Sequence, residues 1–106
     1  MFDENIIPKF EHINIEIGLK FLNNNKKLYL KILNSFLDRY KDVDVESLTG
    51  DELKDVIHSI KGLSATLGME KLNRLSMSDL TKEVISELSE NLSLVLNELK
   101  EKLGSI

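Results

Sequence analysis

The sequence contains no cysteine and no tryptophan, and its only proline is Pro8. A chain without cysteine cannot form disulfides, bind zinc through thiolates or use a thiol as a nucleophile. Aromatic residues are only 6% of the chain, so leucine and isoleucine must supply most of the core. The length of 106 residues, with 42% apolar and 30% charged residues, is typical of one soluble globular domain. Residues 1–106 are therefore predicted to form a single domain.

The sequence also lacks a strong positive charge and a long apolar run. The formal net charge is −4 and no basic run exceeds Lys26-Lys27, which argues against nonspecific binding to nucleic acid. No apolar run approaches the roughly 20 residues needed to span a bilayer, so membrane insertion is not expected. The first four residues, Met-Phe-Asp-Glu, carry net negative charge and do not resemble the start of a signal peptide. These absences together predict a cytoplasmic location.

The residue patterns of a self-sufficient phosphate or metal enzyme are missing as well. The five glycines are scattered, so there is no glycine-rich phosphate loop. The two histidines, His12 and His58, do not form an HExxH pair, and no carboxylates have the spacing of a divalent-cation loop. We therefore expect no bound metal, no resident cofactor and no independent enzymatic activity. His12 has no ligand pattern around it and is interpreted as a surface histidine.

Apolar residues recur at steps of three and four, which predicts an all-α protein without strands. The prediction is an extended arm at residues 1–13, a short covering helix at 15–22 and four long amphipathic helices. The four helices are expected at residues 26–41, from Thr49 to Gly68, from Met69 to an end between Lys82 and Ser86, and from Ile85 to Leu103. Short connections favour antiparallel neighbours, hence an up-down-up-down four-helix bundle. A coiled-coil seam on the last helix is the alternative, although fewer than three heptads support it.

Several residues have the character of helix caps. Asn14 can cap the short helix, and Thr49 with Glu52 fits a capping box for the central helix. Gly68 suits the left-handed position after a helix. Ser78 or Thr81 can cap the last helix. Gly104 is expected to end that helix.

The central helix has one polar face with an unusual composition. At 100° per residue, Leu53, Val56, Ile57, Ile60, Ser64 and Leu67 share the apolar stripe. His58 falls roughly opposite this stripe, with Lys54, Lys61, Gly62 and Ala65 around it. Glycine inside a helix costs about 0.5–1 kcal/mol relative to alanine, so its presence beside His58 indicates that something approaches the helix closely there.

The run from His58 to Gly68, HSIKGLSATLG, matches every fixed position of the signature H-x-x-K-G-x-S-x-x-L-G. It resembles the histidine-containing phosphotransfer (HPt) domain of two-component phosphorelays. A second similarity, to HPt modules of hybrid sensor histidine kinases, rests on Gly18-Leu19-Lys20-Phe21-Leu22, Leu28-Tyr29 and Phe36-Leu37. The chain departs from many relatives in having no glycine between Ser76 and Ser86, which bears on the junction before the last helix.

An exposed imidazole can serve as a phosphoryl carrier because it is largely neutral near pH 7 and is nucleophilic toward phosphorus. The bound phosphoryl group adds about −1.5 to −2 charge, which a nearby cation stabilises. Lys61 at i+3 and Lys54 at i−4 are the candidates. Gly62 keeps the surface flat for a docking partner. Asp55 at i−3 either bonds the second ring nitrogen or, as we favour, is a solvated surface charge.

The resemblance implies that His58 accepts a phosphoryl group from a receiver-domain aspartate or a kinase and passes it to another receiver. The implied partners are response-regulator receiver domains and a sensor histidine kinase, and the receiver supplies Mg²⁺. Lys71 and Arg74 are expected at the rim of the docking surface, and the protein is expected to be a monomer. Ser64 is predicted to bond back to its own helix and to have no chemical role.

A second hypothesis is a helical adaptor module that no longer transfers phosphate. A catalytic phosphatase or kinase is a third hypothesis, which the missing metal and nucleotide ligands disfavour.

Overall fold

In a computed structural model of the chain, residue 7 and residues 9–103 are described, and all the regular structure among them is helical. The elements are α1 (Ile15–Phe21), α2 (Lys26–Tyr40), a 3-10 turn (Val45–Ser47), α3 (Gly50–Leu67), α4 (Glu70–Met77) and α5 (Lys82–Leu103). The all-α prediction is therefore confirmed for these residues. Within the same residues, no helix is both long enough and apolar enough to cross a bilayer.

The helices bury one common core that consists mainly of leucine and isoleucine. Every long helix contributes a stripe of side chains at helical spacing, as the periodicity predicted. The largest fully buried side chains include Tyr29, Leu33, Phe36 and Tyr40 of α2, Ile60 and Leu67 of α3, Leu72 of α4, and Leu88, Leu99 and Leu103 of α5. The apolar stripe of α5 packs against α2, α4 and the 3-10 turn of the same chain. This stripe is therefore part of the core and does not form a separate coiled-coil seam.

The short helix α1 lies against α2 and α3, and two glycines allow this close packing. Gly18 is buried, and a side chain on it would overlap the ring of Tyr29 and approach the carbonyl oxygen of Leu67 to 2.8 Å. Gly68 adopts φ +85°, as expected for the residue that ends α3, and a side chain there would overlap the carbonyl of Asn14. Asn14 caps α1 as predicted, because its side-chain oxygen accepts from the backbone N–H of Glu16 and Ile17.

The predicted boundary between the last two helices is wrong. We expected the fourth helix to extend to between Lys82 and Ser86 and the last to begin at Ile85, but α4 ends at Met77 and α5 begins at Lys82. Ser78 has extended backbone angles, φ −81° and ψ 163°, which interrupt the helix. Thr81 then caps α5, since its hydroxyl accepts from the backbone N–H of Val84 at 3.2 Å. One of the four helices predicted to be long is thus only 8 residues in length.

The predicted capping box at the start of α3 is also wrong. The side chain of Thr49 makes no capping hydrogen bond. The reason is the backbone of Gly50, which adopts φ +58° and turns the chain between Thr49 and the first helical turn. Asp51 and Glu52 still place negative charge in that turn, where it interacts favourably with the helix dipole.

The arm before α1 is fixed to α5 by a buried carboxylate. Glu98 of α5 is 7% exposed, and its oxygens accept the backbone N–H groups of Glu11 and His12. Ile7 and Phe10 pack against the core. His12 is half-buried, with 31% of its side chain exposed. The remaining expectations for residues 1–6, for Pro8 and for Gly104 lie outside the described residues.

Candidate functional site

His58 lies on the outer face of α3, where the helical projection predicted it. The opposite face of the helix is buried through Ile57, Ile60, Ser64 and Leu67, while His58 is exposed. No hydrogen bond joins the imidazole to any residue that the structure describes, and Asp55 is likewise exposed without a bond to it. Both ring nitrogens are therefore available to a partner or to a covalent group.

Two lysines stand close to His58 along the same helix. Lys61 and Lys54 are both exposed, one turn after and one turn before the histidine. Neither ammonium group forms an ion pair within the described part of the chain. Their positive charge is thus not neutralised by a neighbour and is available to stabilise an anion at the imidazole.

Gly62, next to Lys61, has open space where its side chain would be. A Cβ atom built on Gly62 meets no atom within 4 Å outside the local helix backbone. Packing inside the protein therefore does not require glycine at this position, and its φ is not in the left-handed region.

The backbone beneath this face is held by side chains from α3 and α4. The carbonyl oxygen of Lys61 accepts from the side-chain amide of Asn73 at 2.8 Å and from the hydroxyl of Ser64 at 3.2 Å. The carbonyl oxygen of Gly62 accepts from the hydroxyl of Thr66 at 3.1 Å. Ser64 is fully buried and bonds back to its own helix, as predicted. Asn73 was not predicted, because its partner lies in another helix.

An apolar surface adjoins the polar face on the side of α1 and α4. Phe21 is 66% exposed and Met77 is 60% exposed, the two highest values among the large apolar side chains of the described residues. Phe21 lines a cleft of about 270 Å³ with Ile17 and Ala65, which is seven residues after His58 on α3. Met77 lies one turn beyond Asn73, whose amide reaches α3. The i, i+4 spacing of Ile17 and Phe21, away from the buried stripe of α1, is the sequence signal that could have identified this surface.

A third cation borders the opposite side of the face. The guanidinium of Arg39 on α2 donates to the hydroxyl of Ser59 at 3.3 Å, and Ser59 directly follows His58. The guanidinium carbon also lies 5.5 Å from the ring centre of Tyr40. Burial raises the pKa of Tyr40, while the Arg39 charge acts in the opposite direction. Arg39 was not predicted because the contact joins two helices.

Lys71 and Arg74, the predicted rim residues, are both exposed on α4. Arg74 lines the cleft that contains Phe21 and Ala65. Both residues also line a second cleft, which lies between the arm, α4 and α5. Only Arg74 is therefore positioned beside the surface that adjoins the His58 face.

No group of three or more histidine, cysteine, aspartate or glutamate side chains comes together as a metal site in the described ranges. Comparisons of the chain with protein-family models, with curated proteins and with solved structures found no match. The features of this chain that bear on its function are therefore the sequence signature and the arrangement of the residues around His58.

Proposed function

We propose that the protein is a phosphotransfer carrier of the HPt type in a two-component phosphorelay. His58 accepts a phosphoryl group from the aspartate of a receiver domain or from a sensor histidine kinase and passes it to another receiver. The observation that carries the proposal is the exposed imidazole of His58 beside the unpaired cation of Lys61 and the open space at Gly62. A fold that only packed helices would need none of these three features.

The transfer step balances between two groups, the imidazole of His58 and the aspartyl phosphate of the receiver. A ring nitrogen of neutral His58 attacks the phosphorus of an aspartyl phosphate, and a P–N bond forms as the P–O bond to the aspartate breaks. The carboxylate leaves with the electron pair of that bond, and the other ring nitrogen retains its proton. Lys61, assisted by Lys54, stabilises the negative charge on the phosphoryl oxygens. The reverse reaction onto a second aspartate follows the same path.

The partner contributes what this chain does not. The receiver supplies its aspartate and Mg²⁺, so the carrier holds no resident metal or nucleotide and is not an enzyme on its own. Gly62 forms the flat floor over which the receiver approaches. Phe21 and Arg74 line a cleft with Ala65, which is three residues after Gly62 on α3. The exposed Phe21 and Met77 would contribute apolar area to the docking surface and Arg74 a charge at its rim. We further propose that the protein acts as a cytoplasmic monomer.

The proposed architecture is an up-down-up-down four-helix bundle with α1 as a covering helix. Contacts between consecutive helices support this arrangement, since α2 packs on α3, α3 on α4, α4 on α5 and α5 on α2. Such a closed ring of four helices leaves the outer face of α3 in solvent. The short α4 occupies the place of a full-length helix in the bundle.

The decisive experiment incubates the full chain with a receiver domain carrying a ³²P-labelled aspartyl phosphate and Mg²⁺. We expect acid-labile, alkali-stable label on the protein, and we expect the substitution His58→Gln to abolish it. His12→Gln is the matched control and should accept label at the rate of the unaltered protein. Circular dichroism of both variants shows whether the helices are intact.

Transfer that persists after His58→Gln would reject this histidine as the acceptor. Transfer that fails with every receiver tested would favour the adaptor hypothesis, for which the exposed Phe21 and Met77 supply a binding surface. In that case a receiver should still bind, and binding should be lost in Phe21→Ser but retained in His58→Gln.

A further inference from the structure

Arg39 of α2 brings a positive charge to the residue that follows His58 in the chain. Its guanidinium donates from Nη2 to the hydroxyl of Ser59 at 3.3 Å. The side chain of Arg39 is exposed and forms no ion pair with any residue that the structure describes. The only group that it binds through a hydrogen bond in those residues is thus a neutral hydroxyl on the helix of the candidate phospho-acceptor.

Most hydrogen-bond donors of this guanidinium are unused. An arginine side chain has five N–H donors in a planar fork, and the bond to Ser59 uses one of them. The guanidinium carbon also lies over the ring of Tyr40, 5.5 Å from its centre. The Tyr40 hydroxyl is buried without a hydrogen-bond partner among the described residues, so the contact with this ring consumes no N–H group. Arg39 therefore has a defined position and retains donors for an anion.

The guanidinium approaches the acceptor from the side opposite to two lysines. At about 100° per residue, Lys61 and Lys54 project about 40–60° to one side of His58. Ser59 projects about 100° to the other side. Gly62 lies on the Ser59 side of the helix, and its side-chain position is open. A phosphoryl group on the imidazole would therefore lie between the lysines and the guanidinium.

Two carboxylates near Arg39 leave its charge available. Asp38, the preceding residue of α2, is paired with Lys41 at 3.3 Å. Asp55, one turn before Ser59 on α3, is exposed and forms no ion pair with Arg39. A phosphoryl group carries about −1.5 to −2 charge and three acceptor oxygens, so it attracts the guanidinium more strongly than a single solvated carboxylate does.

We propose that Arg39 is a phosphoryl-binding residue: when His58 is phosphorylated, the guanidinium exchanges the Ser59 hydroxyl for the phosphoryl oxygens. This role rests on the proposed phosphotransfer function and adds a group from α2 to it. Arginine binds phosphate through two parallel hydrogen bonds, whereas the hydroxyl accepts only one from it. The exchange needs only the rotation of an exposed side chain, so the helices keep their positions.

The test phosphorylates His58 chemically, without a receiver. Potassium phosphoramidate is the donor: its P–N bond breaks and ammonia leaves as the bond from phosphorus to the imidazole nitrogen forms. The ¹⁵N-labelled full chain contains two arginines, Arg39 and Arg74, so its Nε–Hε spectrum is simple. We expect the Arg39 signal to shift on phosphorylation and the Arg74 signal to stay in place. Neither signal should move in His58→Gln treated in the same way.

The lifetime of the phosphohistidine after removal of the donor separates phosphoryl binding from a structural role. Arg39→Gln should shorten it about fivefold, which is the upper end for an exposed charge pair. Ser59→Ala removes the resting partner of Arg39 but keeps the cation, so the lifetime should not shorten. Lys31→Gln removes an exposed lysine elsewhere on α2 and is the matched control. Circular dichroism shows whether each variant is folded.

The outcomes distinguish this role from the carrier proposal. An Arg39 signal that does not move when His58 is phosphorylated overturns the role of Arg39 alone. An unchanged lifetime in Arg39→Gln, or equal shortening in Arg39→Gln and Ser59→Ala, also overturns it. Failure of phosphoramidate to phosphorylate His58 would overturn both proposals. Phosphorylated His58 that transfers to no receiver, together with a shifted Arg39 signal, would reject the carrier proposal and retain the phosphoryl contact.

Discussion

Two glycines six residues apart show how differently the two halves of the His58–Gly68 signature are used. At Gly68 the fold requires glycine, because φ is +85° and the carbonyl of Asn14 occupies the side-chain position. At Gly62 the fold requires nothing, because the side-chain position is open. The same contrast holds for their neighbours. Ser64 and Leu67 are buried, whereas His58 and Lys61 are exposed. Packing thus explains the C-terminal half of the signature and leaves the N-terminal half to function.

The sharpest test of this contrast is Gly68→Ala. We expect it to lower the free energy of unfolding by about 3 kcal/mol, the combined cost of a left-handed residue with a side chain and of displacing Asn14. Gly62→Ala is the matched control and should raise the free energy of unfolding by about 0.5–1 kcal/mol, since alanine is the better helix former. Urea unfolding followed by circular dichroism measures both. If both substitutions lowered the free energy of unfolding by the same amount, the contrast between Gly68 and Gly62 would be contradicted.

Gly62→Gln tests the functional half of the contrast. The variant should fold at least as stably as the unaltered protein, because a side chain at this position meets only solvent. Transfer from a phosphorylated receiver should slow by at least about tenfold, since the new side chain obstructs docking. The rate of appearance of phosphohistidine measures the effect, and Gly62→Ala should transfer nearly normally. A well-folded Gly62→Gln with a normal rate would refute the role of Gly62 as clearance.

Tyr29→Phe tests the structural half of the contrast in a second way. The Tyr29 hydroxyl donates to the carbonyl oxygen of Leu67 at 2.8 Å in the core, next to Gly18. Removing it should cost about 1 kcal/mol and leave phosphotransfer unchanged.

The same residue predicts a pH dependence. Burial raises the pKa of Tyr29 above the ordinary tyrosine value of about 10. The folded state therefore keeps the phenol protonated where the unfolded chain ionises. Its contribution to stability is fully present below about pH 10 and is lost as the pH rises toward the folded-state pKa. Urea unfolding between pH 8 and 11 should show a shallower decline for Tyr29→Phe than for the unaltered protein, and equal slopes would exclude this contribution.

The smallest expected effect is that of Lys61→Ala. The lysine is exposed, so its interaction with a phosphoryl group on His58 is screened by water and should be worth less than about 1 kcal/mol. The lifetime of phosphohistidine, followed by loss of label after the receiver is removed, should shorten about two- to fivefold. Lys100→Ala removes an exposed lysine near the end of α5 and serves as the control. Unchanged formation and lifetime in Lys61→Ala would remove this residue from the site.

The sequence alone predicted those features of the fold and of the candidate site that depend on local periodicity or on the residues at helix ends. The stripe of α3 and the exposure of His58 follow from 100° per residue, and Asn14 and Gly68 follow from the local chemistry of helix ends. The boundary between α4 and α5 was less accessible, because Leu75 and Leu80 continue an apolar period through a break. At that point the extended backbone of Ser78 and the cap at Thr81 outweigh the period.

Contacts between distant segments were not predictable from the sequence alone. Glu98 accepts backbone N–H groups that lie more than 80 residues earlier in the chain, and nothing in the residues near either partner indicates this. The hydrogen bonds of Asn73 to Lys61 and of Arg39 to Ser59 likewise join different helices. For the same reason the sequence grouped Lys71 with Arg74 at one rim, although only Arg74 borders the cleft beside Ala65.

The hydrogen bond from Asn73 to the Lys61 carbonyl has a mechanical consequence. A glycine in the middle of a helix would ordinarily make the helix easier to bend, and Gly62 lies immediately after the segment that carries His58. Because Asn73 of α4 donates to the backbone carbonyl of Lys61, bending α3 at this point would have to break a hydrogen bond between the two helices. If the protein docks to a receiver as proposed, the two should meet as rigid bodies, and diffusion and orientation should control the association rate because no slow refolding is needed.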